Sequence, residues 1–173
     1  MDILWSPWRS KYIQSFKDEK DCREHEKTCI FCDALNAEGK EKEMLIVSRR
    51  EKCFVILNKF PYNGGHIMVA PARHIANIEE LEDDEIYALI KTIKESIKVL
   101  EHISKPHGYN IGVNQGRVAG AGIPGHIHFH IVPRWNGDTS FMPVVSDTKI
   151  VSQSLEETQE IISKTFNELF PGL

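Results

Sequence analysis

The chain has 173 residues, 41% hydrophobic and 27% charged, which suits one sizeable core and would crowd two independent domains. A formal net charge of −4 argues against a general nucleic-acid binder, which would carry a basic face to neutralise phosphates. No apolar run approaches the ~20 residues that cross a bilayer, and Met1-Asp2-Ile3-Leu4-Trp5-Ser6-Pro7-Trp8 lacks the basic region and apolar core of a signal peptide, so the expectation is a cytoplasmic protein with no membrane partner.

Along the chain, Lys17 to Lys27 is dense in charge and Asn36 to Glu43 is polar, so both read as loops flanking a Cys29-Ile30-Phe31-Cys32 pair. Cys53-Phe54-Val55-Ile56-Leu57 is rich in strand formers. After the turn Pro61-Tyr62-Asn63-Gly64-Gly65, the run His66-Ile67-Met68-Val69-Ala70 completes a hairpin-like pair. From Asp83 to Ile103 the period changes: Ile86, Ile90, Ile93, Ile97 and Leu100 recur every three or four residues, predicting a long helix that ends before Pro106 and Gly108. Two further strands fit Tyr109 to Asn114 and His126 to Val132, joined by a glycine-rich loop. A last helix fits Leu155 to Phe170, opened by the capping box Ser154-Leu155-Glu156-Glu157 and closed before Pro171-Gly172. Grouped strands around one long helix predict an α+β domain with a mostly antiparallel sheet.

Four cysteines could form two disulfides, but a chain of this size without an export signal has no need of such staples. Cys53, in an apolar run, reads as a small buried residue, and Cys22, in a charged segment, as an exposed thiol.

The run Gly125-His126-Ile127-His128-Phe129-His130-Ile131-Val132 carries most of the functional information. In an extended strand successive side chains alternate between faces, so the three histidines would share one face above an apolar one. One imidazole cannot be nucleophile and proton donor at the same moment, whereas a row can divide these tasks: one ring attacks phosphorus and another donates to the departing oxygen. Histidines satisfied by backbone carbonyls, or a zinc ion shared by two of them and a third ligand, are the competing readings. The preceding loop contains GxGxxG from Gly120 to Gly125, but it leads into a strand and carries Pro124, so it is not a dinucleotide fingerprint. Its glycines, Gly120 and Gly122 among them, can still let backbone N–H groups approach phosphate oxygens.

Gly65-His66-Ile67-Met68-Val69-Ala70-Pro71, the glycine loop and His126-Ile127-His128-Phe129-His130-Ile131-Val132-Pro133-Arg134-Trp135 together resemble the histidine triad (HIT) family of nucleotide hydrolases and transferases. The resemblance runs from about Trp5 to Val151. Leu4-Trp5-Ser6-Pro7-Trp8-Arg9, Pro133-Arg134-Trp135-Asn136-Gly137-Asp138 and Thr148-Lys149-Ile150-Val151 are similar to its diadenosine tetraphosphate phosphorylase-like branch.

The resemblance implies a HIT-like fold: a five-stranded antiparallel sheet with the long helix packed on it and a C-terminal helix. One domain is expected, with residues 1–28 as an extension, 29–151 as the core and 152–173 as the helix. It implies His128 as the nucleophile that takes the α-phosphorus, His130 as the phosphate and leaving-group residue, and His66 as a histidine completing the site. Asn58 falls where family members hold the ribose, and Asn114 where a polar residue lies near the phosphates. Ile56 and Met68 would wall an adenine pocket. Where many members carry Gln-Ser or Gln-Thr, this chain has Ala121-Gly122, so the hydroxyl that helps the leaving group is missing.

The CxxC spacing suits two zinc ligands or a redox pair; the resemblance supplies His74 and His126 as the other two ligands, a closed and structural site. No organic cofactor is implied. The expected activity is cleavage of a dinucleoside polyphosphate through a nucleotidyl-histidine, released by inorganic phosphate or water, in a homodimer. The alternatives are hydrolysis of adenosine phosphoramidates or dinucleoside triphosphates, and a nucleotide-binding protein with decayed catalysis.

Overall fold

The computed structural model describes residues 29–138 and 153–171. The expectations for Cys22, for the Leu4–Arg9 and Thr148–Val151 segments and for an N-terminal extension fall outside these residues.

The elements run α1 (Ile30–Asn36), β1 (Ile46–Arg49), β2 (Cys53–Leu57), β3 (Ile67–Pro71), α2 (Asp83–Ser104), β4 (Gly108–Val113), β5 (Phe129–Arg134) and α3 (Leu155–Leu169), with short 3-10 turns at Ile78–Glu80 and Arg117–Ala119. The five strands form one antiparallel sheet in the order β1-β2-β3-β5-β4. The α+β fold with a five-stranded antiparallel sheet is therefore as expected. Among the described residues no helix is long and apolar enough to cross a membrane.

Alternation within β2 and β3 explains why both strands are buried throughout. Cys53, Val55, Leu57, Ile67 and Val69 face one way, into a core completed by Ile131, Leu89 and Leu100 of α2, and Ile162 and Phe166 of α3. Phe54, Ile56, Met68 and Ala70 face the other way and meet Phe31 and Ala34 of α1. Both α2 and α3 thus cover one face, and the short α1 packs on the opposite one. Full burial of such aliphatic and aromatic side chains contributes about 1.5–3 kcal/mol each.

α2 begins in a capping box in which Glu82 and Glu85 bond reciprocally to each other's backbone N–H, and it ends with Lys105 in the left-handed region. Its isoleucine stripe is only partly a core stripe: Ile93 is buried, whereas Ile86 and Ile90 stand exposed beside Tyr87. Leu89, Thr92, Ser96 and Val99 take the inner face instead. Arg73, just before the loop that leads to α2, grips both oxygens of buried Glu85 at 3.0 and 2.7 Å. The Ser154 hydroxyl caps α3 as the sequence predicts.

Two elements differ from the sequence reading. α1 starts inside the CxxC pair and runs to Asn36, a segment to which the sequence pattern assigns no helix. β1 has only four residues, Ile46-Val47-Ser48-Arg49, two of them polar, too short to show a period.

Candidate active site and metal cluster

β5 positions the first part of the site. His130 pairs across the sheet with Met68 of β3 and Gly112 of β4, and Met68 pairs in turn with Ile56 of β2. Ile56, Met68 and His130 therefore form one row on the α1 side, while Phe129 and Ile131 join the core on the α2 side. His128 is 5% exposed, and its ring centroid lies 4.9 Å from that of His130.

The strand begins at Phe129 and not at His126. The Pro124-Gly125 turn leaves His126 in a bend, and the Ile127 N–H goes to the Ile75 carbonyl at 2.7 Å. The three imidazoles consequently do not form one uniform row. His128 and His130 remain neighbours, and His126 turns toward the cysteines.

Hydrogen bonds settle which nitrogen of each ring carries its proton. Nδ1 of His128 lies 2.8 Å from the His126 carbonyl, which only accepts, so Nδ1 donates and the Nε2 lone pair is free of the proton. The Tyr62 backbone N–H donates to Nδ1 of His66 at 3.0 Å, so the His66 proton sits on Nε2. That nitrogen is 3.0 Å from Nδ1 of His130, which must accept, leaving the His130 proton on its Nε2. Nε2 of His126 donates to the Pro71 carbonyl at 2.9 Å, and its Nδ1 lone pair faces the thiols. Burial pushes His128 below its ordinary 6.5 and holds His126 at about 4, so both rings are neutral near pH 7.

Gly65 makes the entry to His66 possible. Its φ of 73° is the left-handed turn that glycine adopts without strain and that a side chain would disfavour. Stacking of Tyr62 on His66, at 4.9 Å and 24° between planes, fixes the ring from its face.

The second part of the site is a cluster of Cys29, Cys32, His74 and His126, whose ligand atoms all lie within 4.8 Å of one another. Cys29 Sγ and Cys32 Sγ are 3.3 and 3.7 Å from His126 Nδ1, and Cys32 Sγ is 3.3 Å from His74 Nδ1. Two thiols and two imidazoles are a donor set suited to a tetrahedral soft-to-borderline cation. Burial first, and then the neighbouring Cys29, push the Cys32 thiol up to about 11. A bound cation would reverse that cost, because it is the thiolate that ligates. Four protein donors leave no open position, so the residues fit a structural ion. Among the described residues this cluster takes only the first of the three histidines.

α1 carries the two cysteines, at its N-cap and in its first turn. Its other end is held by Arg49, whose guanidinium donates to the carbonyls of Leu35 at 2.5 Å, Ala34 at 3.1 Å and Ala37 at 3.3 Å. These carbonyls lie at the C-terminal end of the helix, where intrahelical donors run out; those of Ala34 and Ala37 also accept the Ala37 and Lys40 N–H groups.

The remaining predicted residues divide. Ile56 and Met68 share the face of His130, but both are nearly buried core residues at 6% exposure. The Asn58 side-chain Oδ1 accepts from the Phe60 N–H at 2.9 Å, an ordinary Asx turn. Asn114 donates to the Gly120 carbonyl at 3.5 Å and so braces the glycine loop, with Gly120 itself in the left-handed region at φ 91°. Gly122 lies in the same loop between Ala121 and Ile123. The sequence reading missed Phe31, whose ring lies against both His126 and His128, and Tyr62. The aromatic between the two cysteines was the available signal for the first.

Comparison with known proteins gives the same picture. The HIT domain profile matches residues 39–137. An AP-4-A phosphorylase of Mycobacterium tuberculosis is 32% identical over 160 residues, 92% of this chain and 82% of that protein. A solved hypothetical histidine triad nucleotide-binding protein from Sulfolobus tokodaii superposes with a TM-score of 0.65 at 31% identity, covering 82% of this chain and 93% of that one. A zinc-bound histidine triad family protein from Mycobacterium smegmatis superposes with a TM-score of 0.66 at 23% identity, covering 83% of this chain and 96% of that one.

Proposed function

Because this chain belongs to the histidine triad (HIT) family, we propose that it cleaves dinucleoside polyphosphates of the diadenosine tetraphosphate type at the α-phosphorus through a nucleotidyl-histidine. The observation that carries this reading is the 2.8 Å bond from His128 Nδ1–H to the His126 carbonyl, which leaves Nε2 as a neutral nucleophile.

His128 Nε2 bonds to the α-phosphorus as the bond from phosphorus to the bridging oxygen breaks. The bridging oxygen leaves with the larger nucleotide, ATP in the case of diadenosine tetraphosphate. The proton on His130 Nε2, kept there by the His66 and Tyr62 chain, is available to that oxygen. Inorganic phosphate then attacks the same phosphorus and releases ADP, or water attacks and releases AMP, and His128 is restored. Asn58 is proposed to exchange its turn bond for the ribose, Ile56 and Met68 to flank the base, and Asn114 with the backbone of Gly120 and Gly122 to face the phosphates. That backbone stands in for the hydroxyl absent at Ala121-Gly122.

We assign the four-residue cluster to one structural zinc per chain. Its donor chemistry and the zinc-bound relative from M. smegmatis support this. A homodimer is also proposed: β4 is one of the two edge strands of the sheet, with Ile111 exposed, and Ile86, Tyr87 and Ile90 leave an apolar patch on α2.

Incubation with diadenosine tetraphosphate, with and without phosphate, tests the reading. ADP plus ATP only with phosphate means phosphorolysis, and AMP plus ATP in water means hydrolysis. No turnover of this substrate or of any adenylated amine rejects the enzyme.

A further inference from the structure

Phe31 is enclosed in sequence by two metal-type ligands and in space by two histidines. Its side chain is 1% exposed, and its ring centroid lies 4.8 Å from that of His128 and 5.2 Å from that of His126, tilted by 39° and 54°. Its far side meets the Phe54 ring edge-on at 6.2 Å, which roots it in the small core beneath α1.

Among the described residues the His128 ring makes one hydrogen bond, from Nδ1 to the His126 carbonyl. One bond fixes the direction of one nitrogen but leaves the ring free to swing about it. Swinging would move Nε2, the atom on the opposite side of the ring, by more than it moves Nδ1. Contact against the ring face prevents this, and Phe31 supplies such a contact.

What holds Phe31 there is the first turn of α1. This helix has seven residues and no side-chain bond at its N-cap, and such a short helix has little stability of its own. Its carboxyl end is fixed by Arg49. Its amino end, where Phe31 sits, is fixed by Cys29 and Cys32 in the ligand cluster.

We propose that Phe31 is a positioning residue for His128, seated by the Cys29/Cys32/His74/His126 cluster through the first turn of α1, so that occupancy of the cluster by a metal tunes the nucleophile without entering the reaction. This rests on the reading of His128 as the nucleophile.

Two measurements on the full chain test it: carbethoxylation of His128 by diethyl pyrocarbonate, located by peptide mass spectrometry, and the rate of nucleotidyl-adduct formation with diadenosine tetraphosphate, together with its KM. They are made on the zinc-loaded protein, on protein stripped with a chelator, on Phe31→Ala and on Phe31→Leu. Stripping and Phe31→Ala should each raise carbethoxylation severalfold and slow adduct formation by about 10- to 100-fold, the range expected for a misplaced reacting group. KM should change less than the rate. Stripping should add nothing to Phe31→Ala, and Phe31→Leu should fall between Phe31→Ala and the wild type, with both variants keeping zinc.

Equal carbethoxylation in all four proteins overturns the proposal. So do multiplicative effects of stripping and Phe31→Ala, a change confined to KM, or loss of zinc from both variants. If carbethoxylation follows the expected pattern but no adduct forms on any protein, the positioning role stands and the nucleophile reading fails.

Discussion

The Nε2 nitrogen of His66 lies 3.0 Å from Nδ1 of His130, and the Tyr62 N–H behind His66 decides which of the two donates. A backbone group that cannot change its role thus sets the tautomer of a ring two hydrogen bonds away. His66→Phe should leave the fold intact, since the position is buried and aromatic stacking with Tyr62 is kept. The His130 proton would then be free to move to Nδ1. Turnover should fall by about 10²-fold or more, the low end of what a positioned proton donor contributes. The loss should be smaller for a nucleotide ester with a good leaving group, such as a nitrophenyl ester, and an equal loss for both substrates rejects the assignment.

His128→Ala should abolish the acid-labile nucleotidyl adduct, detected by intact mass after acid and base treatment, and lower turnover by at least about 10³-fold. Survival of the adduct would place the nucleophile elsewhere. The pH dependence has a definite sign. Burial lowers the pKa of His128, so the neutral ring persists below the ordinary 6.5, and the acid limb of adduct formation should lie below pH 6.5.

Elemental analysis of protein purified without added zinc should find about one zinc atom per chain, and Cys29→Ser with Cys32→Ser should find none. At free zinc a hundredfold above its Kd, loading stabilises the fold by about 2.7 kcal/mol, which a thermal melt with and without chelator would register. An unchanged melt together with zero zinc removes the metal assignment.

Glu85 is held at about 2 chiefly by its hydrogen bonds from Arg73, against an ordinary value of 4.5. A depressed carboxyl stabilises the folded state fully above 4.5, and this contribution is lost as pH falls from there through about 2. Glu85→Gln should therefore cost about 1.5–3 kcal/mol near neutrality, the range for a charged hydrogen bond. It should also flatten the acid limb of the stability curve, read from urea melts between pH 5 and 2.5. Parallel acid limbs in both proteins contradict the role.

The sequence showed most of the sheet because its inner strands are strongly apolar. Cys53 to Leu57 coincides with β2, and the helix expected to end at Ile103 ends at Ser104. β1 and α1 were not legible from local pattern, because four and seven residues carry too little periodicity and depend on tertiary partners. Of the four cluster residues, the cysteines are legible from their spacing and the two histidines from a resemblance, and they come together across 97 positions, from Cys29 to His126. His126 itself was misplaced onto a strand, since alternation in sequence does not reveal that a Pro-Gly turn interrupts the ladder. The contact of Phe31 with His128 had no periodic signature at all: it follows from the packing of a helix on a sheet face, which no single segment encodes.

Arg49 gives the metal cluster a further property. Its guanidinium ties down the last carbonyls of α1 from β1, an edge strand paired to the fully buried β2, and this anchorage involves no ion. Removal of an ion from the cluster would therefore loosen one end of a tethered segment and would not set the whole segment adrift. On the proposed zinc assignment, chelation should be a local and reversible detuning that leaves the chain folded and able to rebind the ion.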